Sequence, residues 1–82
     1  MTYEIIKHLG ILSEGADSNS NLMRKEVNII SWNRGTPVID VRSWSENREV
    51  MTSGATFTKN EFKALVKCMK AWAKENRENG KA

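Results

Sequence analysis

Apolar and polar positions change period along this chain, and each change predicts an element. Residues 3–12 are dense in β-branched and aromatic side chains and run into Ser13-Glu14-Gly15, which predicts a first strand with Gly10 as a bulge position. The following SEGADSNSN, residues 13–21, offers almost nothing to a core and reads as a mobile loop. Residues 27–32 and 37–44 are two further β-runs around Asn33-Arg34-Gly35, where a glycine at positive φ would close a three-residue hairpin loop. That loop sets Trp32 opposite Thr36, Ile30 opposite Val38 and Asn28 opposite Asp40.

Alternation then sorts the ribbon into two faces. Val27, Ile29, Ile39 and Val41 share one, with Ser31 and Ser43 at its margin, and this is the expected core face. Asn28, Ile30, Trp32, Val38, Asp40, Arg42 and Trp44 share the other. Covering that mixed face would bury Asp40 and Arg42 as a pair, at a desolvation cost, and leaving it idle in solvent would wet two indoles for no return. The expectation is an open face that binds something flat and anionic.

Residues 45–54 are polar and read as a connection, and residues 55–57 as a short fourth β-run. Thr58 and Glu61 form a capping box, and beyond it Phe62, Leu65, Val66, Met69, Trp72 and Ala73 recur at helical spacing. Lys63, Lys67, Lys70, Lys74 and Arg77 make a second stripe roughly 120° away. A helix over about 58–77 with a frayed tail at 78–82 follows. The fold class is α+β: one domain, 1–82, of order β-β-β-β-α, with an antiparallel sheet and one C-terminal helix.

Composition narrows the chemistry. A single cysteine, Cys68, leaves no intrachain disulfide, and no cysteine or histidine cluster has metal-ligand spacing, so no metal or cofactor is expected. Cys68 reads as a small packing residue and His8 as a surface or half-buried structural one. No secretory leader or run of 18 apolar residues stands out, which predicts a soluble, cytoplasmic protein. Residues 1–57 carry six Lys/Arg against seven Asp/Glu, whereas residues 58–82 carry seven against three, so the basic character lies in the last third. No catalytic constellation is present, and a non-enzymatic role is expected. For the mixed face the candidates are single-stranded nucleic acid, whose exposed bases stack on indoles, and a partner protein that uses Trp and Arg as hot spots.

The run VNIISWNRGTPVIDVRSWSENREVMTSGATFTKNEF, residues 27–62, resembles the single-stranded-DNA-binding domain of the transcriptional positive cofactor four (PC4-like) family, especially its small bacterial YdbC-like branch. The resemblance lies in SWN before a glycine turn, in IDVRSW, and in the M-x-x-G-x-T-x-T pattern from Met51 to Thr58; EIIKHLGILSE is also similar to that branch. It implies a curved four-stranded sheet and a helix assembled as a homodimer, with helices at the interface and channels for single-stranded DNA, in transcription, replication or repair. Arg42 and Trp44 match basic and aromatic positions of the third strand that touch DNA in the family, Trp32 and Arg34 match those around the preceding turn, and Lys25 matches a lysine before the second strand. Asn28 shares their face, and the helix stripe Phe62, Leu65, Val66, Met69 and Trp72 would supply core or dimer contacts. Where the family often has lysine or arginine, this chain has Thr52-Ser53. The resemblance implies a coactivator-like DNA-binding protein, nucleoid-associated if bacterial; single-stranded RNA is the alternative ligand, since stacking and phosphate contacts do not by themselves distinguish the sugars.

Overall fold

A computed structural model describes the backbone of residues 2–16 and 19–78, with side chains through residue 75. Four strands, β1 (Tyr3–Ala16), β2 (Leu22–Trp32), β3 (Val38–Ser45) and β4 (Ala55–Phe57), form one antiparallel sheet in chain order and are followed by α1 (Lys59–Glu78). The expected order is therefore observed. The predicted register is too: Asn28 pairs with Asp40 and Ile30 with Val38, in an unbroken ladder that continues to Met23 and Ser45.

Two boundaries differ. β1 continues to Ala16 and β2 begins at Leu22, so Ser13 to Ala16 belong to a strand where a loop was expected, because cross-strand pairing is indifferent to how polar a hairpin end is. Residues 17 and 18 of the expected loop, and 79–82 of the expected frayed tail, lie outside the described residues.

β1 departs from simple alternation at three places. Its pairing with β2 skips Ile6, Leu9 and Leu12, so the phase slips by one residue every three. Gly10 does adjoin one of these bulges, but it is one of three. The slips place Tyr3, Ile5, His8, Ile11 and Glu14 opposite Trp32, Ile30, Asn28, Glu26 and Arg24, on a single face of the sheet. The bulged residues stay exposed. Repeated bulges deepen the right-handed twist and curl the strand they interrupt.

Curling reverses the expected inside and outside. Ile30, Asn28, Asp40 and Trp44, all on the mixed face, are at most 1% exposed, whereas Val27, Ile29, Ile39 and Val41 are only half-buried. The helix accounts for this second half. The capping box forms as predicted, with Thr58 N–H donating to Glu61 Oε1 (2.8 Å) and Glu61 N–H to Thr58 Oγ1 (3.1 Å). Yet α1 meets the sheet only along β3 and β4, so Phe62 and Val66 are half-buried while Leu65, Met69 and Trp72 are exposed. Cys68 is exposed as well, contrary to a packing role, because it lies on a side of α1 that no described residue covers. The chain exposes 6384 Å², whereas a folded monomer of its mass exposes about 5,000 Å². Two apolar surfaces, the outer sheet face and the α1 stripe, are only partly covered.

Candidate nucleic-acid interface

At the curled face an aromatic cluster gathers Tyr3 from the start of β1, Trp32 from the end of β2 and Trp44 from the end of β3. Tyr3 lies 5.6 Å from Trp32 and 5.3 Å from Trp44, centroid to centroid, at tilts near 50° to both. Such tilted contacts suit ring quadrupoles. Trp44 is fully enclosed, Trp32 is half-buried, and Tyr3 stands at the rim, 39% exposed. Both indole Nε1–H groups are buried without an acceptor among the described residues, a cost of about 1–3 kcal/mol each.

Arg42 closes the cluster. Its guanidinium carbon is 4.6 Å from the centre of the Trp32 ring. Nε donates to both Asp40 carboxylate oxygens (2.8 and 2.9 Å) and Nη2 donates to Oδ2 (2.7 Å). Nη1 donates to the Thr52 carbonyl at 3.3 Å. The dilemma of a covered face is thus settled by geometry: the pair is buried, and its forked hydrogen bonds offset the desolvation. Arg42, expected as a DNA contact, is engaged within the protein through Nε, Nη1 and Nη2, which makes it a positioning group for the Trp32 ring. Thr52, standing where the resemblance leads one to expect a basic residue, ties the connection to β3: its N–H donates to the Ser43 carbonyl, and its Oγ1 accepts from the Ser43 N–H.

A second buried network lies further along the same face. The His8 ring nitrogen Nδ1 and Asn28 Oδ1 are 2.7 Å apart, Asn28 Nδ2 donates to Glu26 Oε1 (3.2 Å), and Arg48 Nη2 donates to the same oxygen (2.9 Å). Burial pushes the Glu26 carboxyl up, but hydrogen bonds from Arg48 and Asn28 and the charges of Arg48 and His8 outweigh it and hold its pKa below the ordinary carboxylate value. Asn28 is therefore a structural residue here, fully buried, and not an open contact.

The hairpin tip differs from the expected loop. Asn33 and Arg34 carry positive φ, 50° and 64°, and Gly35 N–H donates to the Trp32 carbonyl at 2.8 Å, so the turn has its two left-handed residues before the glycine. At Gly35 glycine is favoured instead by close approach, since a Cβ there would sit 3.0 Å from the Trp32 carbonyl oxygen and the turn would have to give by a few tenths of an ångström. The N-terminal segment clips onto the tip: Asn33 N–H donates to the Thr2 carbonyl, and Thr2 N–H to Asn33 Oδ1. Arg34 is exposed and borders a recess of about 180 Å³ with Thr2, Tyr3, Glu4 and Ser31.

Of the residues singled out from the sequence, Trp32, Arg42 and Trp44 do come together on the curled face, through Tyr3 and the Arg42 guanidinium, whereas Arg34 stands apart at the hairpin tip. Lys25 does not join them: it is exposed inside β2, at an odd position on the opposite face. Tyr3 was missed, although an aromatic residue opening a β-run was the available signal.

No family model matches the chain. It is similar to an uncharacterized protein of Treponema pallidum (strain Nichols), 35% identical over 63 residues that cover 77% of this chain and 69% of that protein.

Proposed function

The chain belongs to one family with that uncharacterized Treponema pallidum protein, and on this premise we propose from the geometry a non-enzymatic, homodimeric single-stranded-DNA-binding protein of weak sequence preference. The observation that carries the proposal is the Tyr3–Trp32–Trp44 cluster, whose outer members Trp32, half-buried, and Tyr3, at the rim, are open to a ligand; Arg34, outside any ion pair among the described residues, stands at the adjoining hairpin tip in left-handed backbone. A non-glycine residue at positive φ costs about 1–2 kcal/mol, and such strain collects at functional sites. Stacking falls to Tyr3 and Trp32, while Trp44, Arg42 and Asp40 form the rigid backing that orients them. Bases in single strands have free faces for this; stacked duplex bases do not. The resemblance of residues 27–62 to the positive cofactor four family supports the same reading.

The half-buried outer sheet face and the exposed Leu65, Met69 and Trp72 of α1 support the dimer, the helix of one protomer covering the sheet of its partner. The excess of about 1,400 Å² per chain, about 2,800 Å² for a pair, exceeds a standard interface and is of the order that obligate homodimers bury. A competition assay tests the function. Labelled oligo(dT) should bind with a rise in anisotropy, unlabelled oligo(dT) should displace it, and duplex DNA of equal length should not. Displacement by oligo(U) at equal concentration would assign RNA instead.

A further inference from the structure

We propose that the row Lys59, Lys63, Lys67, Lys70 and Lys74 on α1 is the phosphate track of the nucleic-acid site, so that the sheet supplies stacking and the helix supplies charge. The inference rests on the single-strand reading above. Arg42 is paired with Asp40, Arg48 with Glu26, and Arg24 with Glu14 and Glu46 at 3.3 and 3.8 Å. Each is neutralised by its own neighbour. Arg34, Lys7 and Lys25 are then the only sheet-region cations outside a described ion pair, and residues 1–57 as a whole carry one more acid than base. Phosphate attraction from the sheet alone is weak.

The helix is built differently. At 100° per residue its five lysines fall within an arc of about 80°, and from Lys59 to Lys74 they run along roughly 22 Å of helix. All five are exposed, and none forms an ion pair among the described residues. A face serving only solubility would interleave signs, with glutamate at i±4 from lysine. Here the i±3 and i±4 neighbours of Lys63, Lys67 and Lys70 include further lysines and no acid, while Glu61 and Glu75 sit roughly 120–160° around from the centre of the row; Glu78, i+4 from Lys74, is the one acid in phase with the row, at its C-terminal end. Like charges at that spacing each cost a few tenths of a kcal/mol. The row is therefore maintained against helix stability, as a ligand-binding row is. An anionic membrane is disfavoured as the partner because the neighbouring apolar stripe is assigned to the dimer, leaving no hydrophobic face to insert.

The test compares the full chain with its Lys63→Gln/Lys67→Gln/Lys70→Gln/Lys74→Gln variant. Glutamine keeps similar helix propensity, so circular dichroism should be unchanged and the melting temperature equal or higher. Oligo(dT) affinity is measured against sodium chloride concentration. Single-strand binding loses about 0.7 in logarithmic slope per phosphate contact, so the slope should fall by about two to three while low-salt binding survives. Two results overturn the track and leave single-strand binding standing: an unchanged slope, or phosphatidylserine vesicles being bound by the native chain and lost by the variant with the oligo(dT) slope unaffected. If the native chain fails to bind oligo(dT) at all, the functional reading falls and the track falls with it.

Discussion

The guanidinium of Arg42 rests 4.6 Å above the centre of the Trp32 ring while its edge grips the fully buried carboxylate of Asp40. One cation thus fixes an aromatic plane and neutralises an interior charge. Removing it strands Asp40, so Arg42→Ala should destabilise the domain by about 3–5 kcal/mol, read by urea unfolding. The Arg42→Ala/Asp40→Ala double variant should lose clearly less than the sum of the two single variants. Additive losses would show that the pair is not a coupled unit.

Arg34 should show the opposite balance. Arg34→Gly relieves the left-handed backbone and should stabilise the protein by about 1 kcal/mol in the same assay. Oligo(dT) affinity should fall several-fold. Stability and binding moving in one direction would remove the argument that strain here serves a ligand.

Glu26 makes stability depend on acid. Its native pKa is lowered, so its contribution is complete above the ordinary carboxylate value and is lost as pH falls through the lowered native one. At neutral pH Glu26→Gln should be less stable than the native chain, because Arg48 loses its anion. In urea unfolding at successive pH values, the difference should shrink as the solution is acidified below the carboxylate range.

The exposed stripe predicts the assembly. Sedimentation should give about twice the 9.3 kDa chain mass. Met69→Glu, at a position 58% exposed in the single chain, should yield monomers that keep the native β-sheet spectrum. A native chain that sediments as a monomer at micromolar concentration would refute the dimer.

How far this could be read from sequence depends on which quantity each pattern encodes. Alternation around Asn28 and Asp40 correctly paired β2 with β3, because a short turn and period two determine register. It also grouped Trp32, Arg42 and Trp44 together. What alternation does not encode is which group faces inward, and that was decided by β1. There Ile6, Leu9 and Leu12 recur every third residue, a spacing belonging to neither a plain strand nor a helix, and three bulges are its structural expression. Those bulges curl the sheet over Trp44, and Tyr3 completes the cover. The capping box at Thr58 and Glu61 was visible because both partners lie within one turn. The pairing of Arg48 with Glu26 was not, since 22 residues separate them.

The central claim, that single-stranded DNA stacks at the Trp32 rim, is tested most directly by fluorine NMR of protein labelled with 5-fluorotryptophan. Three resonances arise from Trp32, Trp44 and Trp72, and Trp32→Phe and Trp72→Phe assign them. On titration with oligo(dT), the Trp32 resonance should move progressively and saturably, with a much smaller change at the enclosed Trp44. Saturated oligonucleotide binding with Trp32 unmoved, or no binding at micromolar protein in low salt, would contradict the account.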